Sequence, residues 1–297
     1  MYVAIVGGNG GLGRAMQQCL PAVHNVRIID QAPSSGAPTT NYRQVDILDL
    51  PALTEALRGA GAVIHLAAIR DPGMAPPETI FRVNTLGTYH VSLACEKLGI
   101  TRIVFASSIC YYGFLYNAKL LCPPYFPVDE KAPALPEDSY SLSKWIGEKI
   151  MSAFVQRTAG AVANLRYAYI MPNGASGDES AENAVTDFLP DEPNAKTWWT
   201  YVDMKDAASA TWQALDYIAG QSNLCEAFNI GADDTHTTTP TFTLMERFFA
   251  DTTLRFPNPL GPRSYAALFS NVKARQLLGF RPTPSTWRAT LNAVTTH

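Results

Sequence analysis

The 297-residue chain carries three groups of residues with reactive potential. The first is Gly7-Gly8-Asn9-Gly10-Gly11-Leu12-Gly13. Glycines at 7, 10 and 13 permit a tight turn, close approach of backbone to a pyrophosphate, and close packing of a helix on a strand. A helix opening there offers unpaired N–H groups and the positive end of its dipole to phosphates. Asp30 lies roughly 20 residues downstream, where a carboxylate accepts hydrogen bonds from the hydroxyls of an adenosine ribose. Its charge repels a 2′-phosphate, and Gln31, Ala32 and Pro33 supply no arginine to neutralise one. NAD is therefore expected rather than NADP.

The second group is Tyr140-Ser141-Leu142-Ser143-Lys144. Positions i and i+4 share one face of a helix, so phenol and ammonium reach the same region. A phenol with a pKa near 10 is a poor base at neutral pH. A neighbouring ammonium, together with the positive nicotinamide of bound NAD, is expected to favour the phenolate and lower that pKa. The third group is Ser107-Ser108, at the end of the apolar run Arg102–Ser107. Ligands of open α/β sheets bind at the carboxyl ends of the strands, which places Ser108 and Tyr140 in one crevice. Ser108 is expected to hydrogen-bond the reacting carbinol oxygen.

Positioning these residues takes an alternation of two periods. Strands are predicted at Tyr2–Val6, Asn25–Asp30, Tyr42–Asp46, Ala62–Ala67, Arg102–Ser107, Val162–Tyr167 and Ala227–Ile230. Helices are predicted at Leu12–Leu20, Leu50–Leu57, Glu78–Leu98, Ser139–Gln156, Tyr201–Tyr217, Thr241–Phe249 and Asn271–Leu278. This order implies right-handed βαβ units and a doubly wound, Rossmann-type parallel sheet of α/β class. After Ile170 the texture turns to Pro, Gly, Asn and acidic residues. The expected organisation is an NAD-binding domain over residues 1–170, with returning segments at about 201–231. Residues 171–200 and 232–297 then form a smaller C-terminal substrate-binding lobe.

Composition narrows the class. Apolar residues make up 47% and charged residues 16%, enough for a substantial core. A net charge of −3 gives no footprint for a nucleic-acid backbone. The five cysteines are scattered and never spaced as CxxC, so neither a disulfide framework nor a zinc site is expected. No apolar run is long enough to cross a bilayer. No signal peptide is read at the start of the chain, and a cytoplasmic protein is the expectation. His65, in an apolar strand, reads as a hydrogen-bonded core histidine and Cys110 as a small apolar filler. Asn84 reads as a helix–loop hydrogen bond beside the cofactor. Arg70 is a candidate for a substrate anion. Trp198 and Trp199 read as lobe packing, with a platform under a sugar ring as the other option. The Cys122–Pro127 loop (CPPYFP) is long enough to rim a substrate pocket.

Together the glycine loop, Asp30, Val45-Asp46-Ile47, His65-Leu66-Ala67-Ala68, Val83 to Thr88, Phe105 to Gly113, Tyr140/Lys144, Leu165-Arg166-Tyr167, Tyr201-Val202-Asp203 and Asn229-Ile230-Gly231 resemble the extended short-chain dehydrogenase/reductases, specifically their NAD-dependent sugar epimerase/dehydratase branch. The resemblance implies that Ser108, Tyr140 and Lys144 form a catalytic triad. It implies cofactor contacts from Gly7, Asn9, Gly10, Gly11, Leu12, Gly13, Asp30, Asp46, Ile47, Leu66, Ala67, Ala68 and Asn84, with Tyr167 flanking the nicotinamide. It also implies a homodimer built from the two long helices, Glu78–Leu98 and Ser139–Gln156. Ile109 and Cys110 replace the acidic pair that sugar-nucleotide dehydratases carry after the catalytic Ser/Thr, which disfavours elimination of water. Tyr169 and Thr197 stand where many nucleotide-sugar epimerases place an Asn and an Arg. The Thr197–Tyr201 stretch and the Pro172 region look more like uronate dehydrogenases, although the Asn-His pair of those enzymes is also replaced by Ile109-Cys110. Arg70, Ser108, Ile109, Cys110 and Tyr169 are therefore the candidate substrate contacts. The expected activity is hydride transfer at a secondary carbinol of a sugar or nucleotide sugar, of the 4-epimerase kind. The alternative is an NAD-dependent dehydrogenase of free sugars or uronates. A non-catalytic NAD-sensing protein is the reading from another class.

Overall fold

The computed structural model describes residues 2–22, 24–33, 41–171, 189–256, 261 and 264–284. Residues 172–188, which include Pro172, and 285–297 lie outside the described set.

Seven strands form one wholly parallel sheet: β1 (Tyr2–Val6), β2 (Val26–Asp30), β3 (Tyr42–Gln44), β4 (Ala60–His65), β5 (Arg102–Ser108), β7 (Ala161–Tyr167) and β10 (Leu224–Ile230), in the order β10-β7-β5-β4-β1-β2-β3. The order reverses beside β1, so the crevice beyond the carboxyl ends of β1 and β4 is where such a sheet takes a ligand. Side chains on a strand alternate between faces. Accordingly Val3 and Ile5 join one buried cluster while Ala4 and Val6 join another, and Val104 parts from Ile103 and Phe105 in the same way. Both faces are covered, which is why these strands read as continuous apolar runs.

The helices are α1 (Gly11–Gln18), α2 (Leu50–Leu57), α3 (Pro77–Leu98), α4 (Ser139–Thr158), α5 (Glu192–Ala195), α6 (Met204–Tyr217), α7 (Thr241–Phe248) and α8 (Val272–Leu277). The long helix α3 stops where expected, at Gly99, whose φ of +68° is a left-handed cap that glycine adopts without penalty. The single helix expected over Tyr201–Tyr217 divides in two. Tyr201–Asp203 is a strand, β9, paired with β8 (Tyr169–Met171), and α6 begins only after Asp203. Asp203 accounts for the break, since its carboxylate accepts the Lys205 N–H at 2.7 Å as an N-cap.

The Cys122–Pro127 loop is not a loose rim. Its β6 (Tyr125–Phe126) pairs with β11 (Thr253–Leu254), and Phe126 is fully buried. Trp198 and Trp199 are also buried, with Trp198 packed against Phe114 and Phe126 and Trp199 against Phe248. They pack the core rather than offering a platform.

Helix α1 lies so close to the β1–α1 turn that a Cβ at Gly13 would fall 2.5 Å from the Gly8 Cα. Backbone cannot yield as a flexible side chain can, so Gly13→Ala is expected to destabilise the fold by about 1–3 kcal/mol. The urea midpoint of unfolding checks this.

Candidate active site

The glycine turn is shaped by what it touches. Gly7 has φ +85°, and a Cβ on it would meet the Ala67 nitrogen at 2.4 Å. Leu66 and Ala67 themselves donate to the Val6 carbonyl at 2.8 and 3.0 Å, which draws the ends of β1 and β4 together. Gly10 is the N-cap of α1 and has no side-chain cap, so the first turn of the helix keeps donors for an anion. Asp30 accepts the Asn9 N–H at 2.9 Å and the Ala32 N–H at 3.0 Å. A carboxylate has about four acceptor positions, so two remain for ribose hydroxyls. Leu12 packs against the core beneath the turn. Backbone too crowded for a Cβ at Gly7 and Gly13, an uncapped helix start and a half-buried carboxylate together fit a dinucleotide.

Farther along the same edge, Asp46 is exposed and accepts the Leu48 N–H, whereas Ile47 is buried against Gly87, where a Cβ would meet it at 2.3 Å. Asn84 bonds both polar groups of the Ile69 backbone at 2.8 Å and donates to Ser143 at 3.0 Å. It thus ties α3 to the loop after β4 and to α4. His65 is buried and shares a 3.0 Å hydrogen bond with Thr88; burial, with Lys144 adding to it, holds it neutral with a pKa lowered to about 3.

Helix α4 starts at Asp138, whose carboxylate accepts the N–H groups of Tyr140 and Ser141 at 2.8 and 2.9 Å. From that cap, Tyr140, Lys144 and Glu148 recur at intervals of four on one buried face. Lys144 Nζ donates to the Ala106 carbonyl at 2.7 Å and sits 5.6 Å from the centre of the Tyr140 ring. Burial lowers the Lys144 pKa to about 8, with Cys110 and Glu148 working in the opposite direction. The expected depression of the Tyr140 pKa is corrected for the protein alone. Burial pushes the phenol up, Cys110, Asp138 and Asp71 push the same way, and a hydrogen bond with Ser108 pulls it down. Desolvation of a fully enclosed phenol outweighs an ammonium that is itself desolvated.

Ser108 ends β5 and accepts the Cys110 N–H at 3.1 Å, closing the one-turn segment Ile109–Tyr112. Ile109 and Cys110 are buried beside it, and burial pushes the Cys110 thiol up to about 12, which makes it an unreactive filler. Tyr167 is buried with its hydroxyl engaged by Thr211 at 2.7 Å. Arg70 and Tyr169 are exposed, Tyr169 on β8 outside the main sheet. Among the described residues no group of His, Cys, Asp and Glu has the arrangement of a metal site.

A buried polar network went unread in the sequence. Arg166 on β7 donates to both Glu148 carboxylate oxygens, at 2.9 and 2.8 Å, while Ser107 donates to Glu148 at 2.6 Å. Arg166 also donates to the Tyr112 hydroxyl, which donates to Asn229 on β10. The available signal was a lone Arg in a buried strand and a Glu on a buried helix face, charges that must find each other.

A glycine-rich turn at a switch in strand order thus shares one sheet edge with Tyr140 and Lys144, four residues apart on one helix face, and with the strand-end Ser108. Residues 3–231 match the family model described as the NAD dependent epimerase/dehydratase family. The chain is 31% identical over 174 residues to L-arabinose 1-dehydrogenase (NAD(P)(+)) of Haloferax volcanii, covering 57% of this chain and 67% of that protein. It is 28% identical to UDP-glucose 4-epimerase of Lacticaseibacillus casei, covering 95% and 92%. A short-chain dehydrogenase/reductase superfamily protein from Agrobacterium tumefaciens, solved with bound NAD, superposes with a TM-score of 0.68 at 22% identity over 99% of this chain and 96% of that one. The protein belongs to the NAD-dependent epimerase/dehydratase family, and NAD is its cofactor.

Removing one partner of the Glu148–Arg166 pair strands a buried charge. Glu148→Leu is expected to cost about 3–5 kcal/mol in urea unfolding, and the double variant Glu148→Leu/Arg166→Met to recover more than half of that loss.

Proposed function

We propose that this protein is an NAD-dependent oxidoreductase acting at a secondary carbinol of a sugar or nucleotide sugar, with Ser108, Tyr140 and Lys144 as catalytic residues. The observation that carries the reading is that Tyr140, Lys144 and Ser108 meet at the same carboxyl edge of the sheet as the Gly7–Gly13 turn and Asp30. The cofactor residues are those of the turn (Gly7, Asn9, Gly10, Gly11, Leu12, Gly13) with Asp30, Asp46, Ile47, Leu66, Ala67, Ala68, Asn84, Tyr140, Lys144 and Tyr167. When bound, NAD supplies the hydride-accepting carbon of its nicotinamide and a positive charge that offsets the desolvation of the phenol. Tyr140 takes the carbinol proton as general base. Ser108 hydrogen-bonds the carbinol oxygen and sets its angle to the phenol. Lys144, held by Ala106, stabilises negative charge on the phenol oxygen and reaches the nicotinamide ribose.

The fate of the oxidised sugar depends on the substrate. In a 4-epimerase the keto sugar turns and is reduced on its other face, so no NADH accumulates; similarity across 95% of the chain to a UDP-glucose 4-epimerase supports this reading. In a dehydrogenase of free sugars or uronates the product leaves. One observation favours that second reading: Thr197, where an arginine anchor for a diphosphate would stand, is uncharged and donates its hydroxyl to the Asn194 carbonyl three residues back. Arg70, Ile109, Cys110 and Tyr169 complete the proposed substrate contacts, with residues 171–200 and 232–297 as the substrate lobe against an NAD-binding unit of 1–170 and about 201–231. The described helices include none long and apolar enough to cross a membrane; a cytoplasmic setting is part of the same proposal. A homodimer through α3 and α4 is supported by Phe81, Leu86 and Tyr89, which α3 leaves exposed.

Incubation with NAD and a panel of UDP-sugars, free aldoses and uronates separates the outcomes. Steady NADH formation with a free sugar establishes the dehydrogenase, and interconversion of a UDP-sugar without NADH establishes the epimerase. Tyr140→Phe is expected to lower either rate by about 10²–10⁴-fold. An unchanged rate would sink the mechanism, and a protein that binds NAD yet turns over nothing would be a cofactor sensor. Lys144→Met is expected to abolish turnover without lowering the melting temperature, because it removes a desolvated ammonium from the interior.

A further inference from the structure

The loops after β4 and β5 meet over Tyr140. Tyr116, in the second of them, donates its hydroxyl to Asp71 Oδ2 at 2.8 Å, and its ring stands edge-on to Tyr140 with centres 6.2 Å apart and planes at 84°. Asp71 does not swing freely, because its other oxygen accepts the Gly73 N–H at 2.7 Å and caps the turn Pro72–Met74. The Tyr116 loop is pinned independently by Lys196, whose Nζ donates to the carbonyls of Asn117 and Ala118 at 3.1 and 3.3 Å. A carboxylate fixed on its other oxygen thus holds a ring whose loop is pinned elsewhere, and that ring meets Tyr140. Edge-to-face contact of this kind restrains a ring.

We propose that Asp71 and Tyr116 are a positioning pair for Tyr140: Asp71 holds the Tyr116 ring, and that ring holds the Tyr140 ring beside Ser108. The inference rests on Tyr140 being the acid–base group. The titratable and charged groups that act on the phenol are Asp138 and Lys144 from its own helix, Cys110 from the segment after β5, and Asp71 with Tyr116 from the two loops. Cys110, Asp138 and Asp71 all oppose the phenolate; Cys110 is a thiol that burial holds protonated, and of the two carboxylates Asp71 is the one outside the helix that carries Tyr140 and its cap. Removing its charge therefore lets the phenol ionise at lower pH.

The test is a tyrosinate absorbance titration of NAD-saturated protein, in which subtracting Tyr140→Phe from wild type isolates one phenol. Asp71→Asn is expected to move that midpoint down by roughly half to one pH unit, while Glu78→Gln, an exposed carboxylate at the start of α3, leaves it in place. Asp71→Ser gives the same downward shift should the asparagine variant fail to fold. An unshifted midpoint in the folded Asp71 variant overturns the pair. A wild-type-minus-Tyr140→Phe difference containing no ionising phenol, or a protein that takes up no NAD, overturns the underlying assignment of Tyr140 instead.

Discussion

The Glu148 carboxylate, enclosed between α4 and the sheet, is the constraint on which the site depends. It is the third member of the Tyr140, Lys144, Glu148 ladder and the only one bound to strand residues on both of its oxygens. A charge out of water must be matched completely, so the ladder has one rotation and one height at which Arg166 and Ser107 both reach it. Those same bonds set Tyr140 and Lys144 against the end of β5, where Ser108 is next to Ser107 in the chain. Ridges of apolar side chains tolerate small slides of a helix on a sheet; a bidentate ion pair does not. Arg166 carries the restraint onward through Tyr112 to Asn229 on β10, which spans three strands of the sheet.

At the nucleotide side the restraint is steric instead. Gly7 and Gly13 leave no space for a Cβ, so strand, turn and helix touch through backbone. The Asp30 carboxylate braces the turn from β2 through the Asn9 N–H. The turn is thus fixed by contacts within the chain itself, which lowers the ordering cost of binding.

The alternation of strand and helix, the glycine turn and the Tyr140/Lys144 pair are legible because each rests on local period or spacing. Helix ends are legible where a cap residue marks them, as at Gly99. Asp203 is also a cap, yet the helical pattern on either side of it hides both the break and the strand before it. The two-residue strand Tyr125–Phe126 has no periodicity to betray it, and its partner lies far along the chain. The Glu148–Arg166 network escapes notice for a related reason: residues 18 apart in sequence, on different elements, are joined only by tertiary packing. For the protein alone, the direction in which the Tyr140 phenol shifts is hidden from sequence because the motif names the neighbouring ammonium but is silent on the burial of both groups.

Lys144 offers three N–H directions from one nitrogen, and the Ala106 carbonyl claims one of them. The remaining two must then point along fixed tetrahedral vectors, so the ammonium acts as a braced tripod rather than a swivelling tip. A peptide oxygen in the middle of a sheet strand thereby dictates, through a single flexible side chain, where positive charge can be delivered in the crevice.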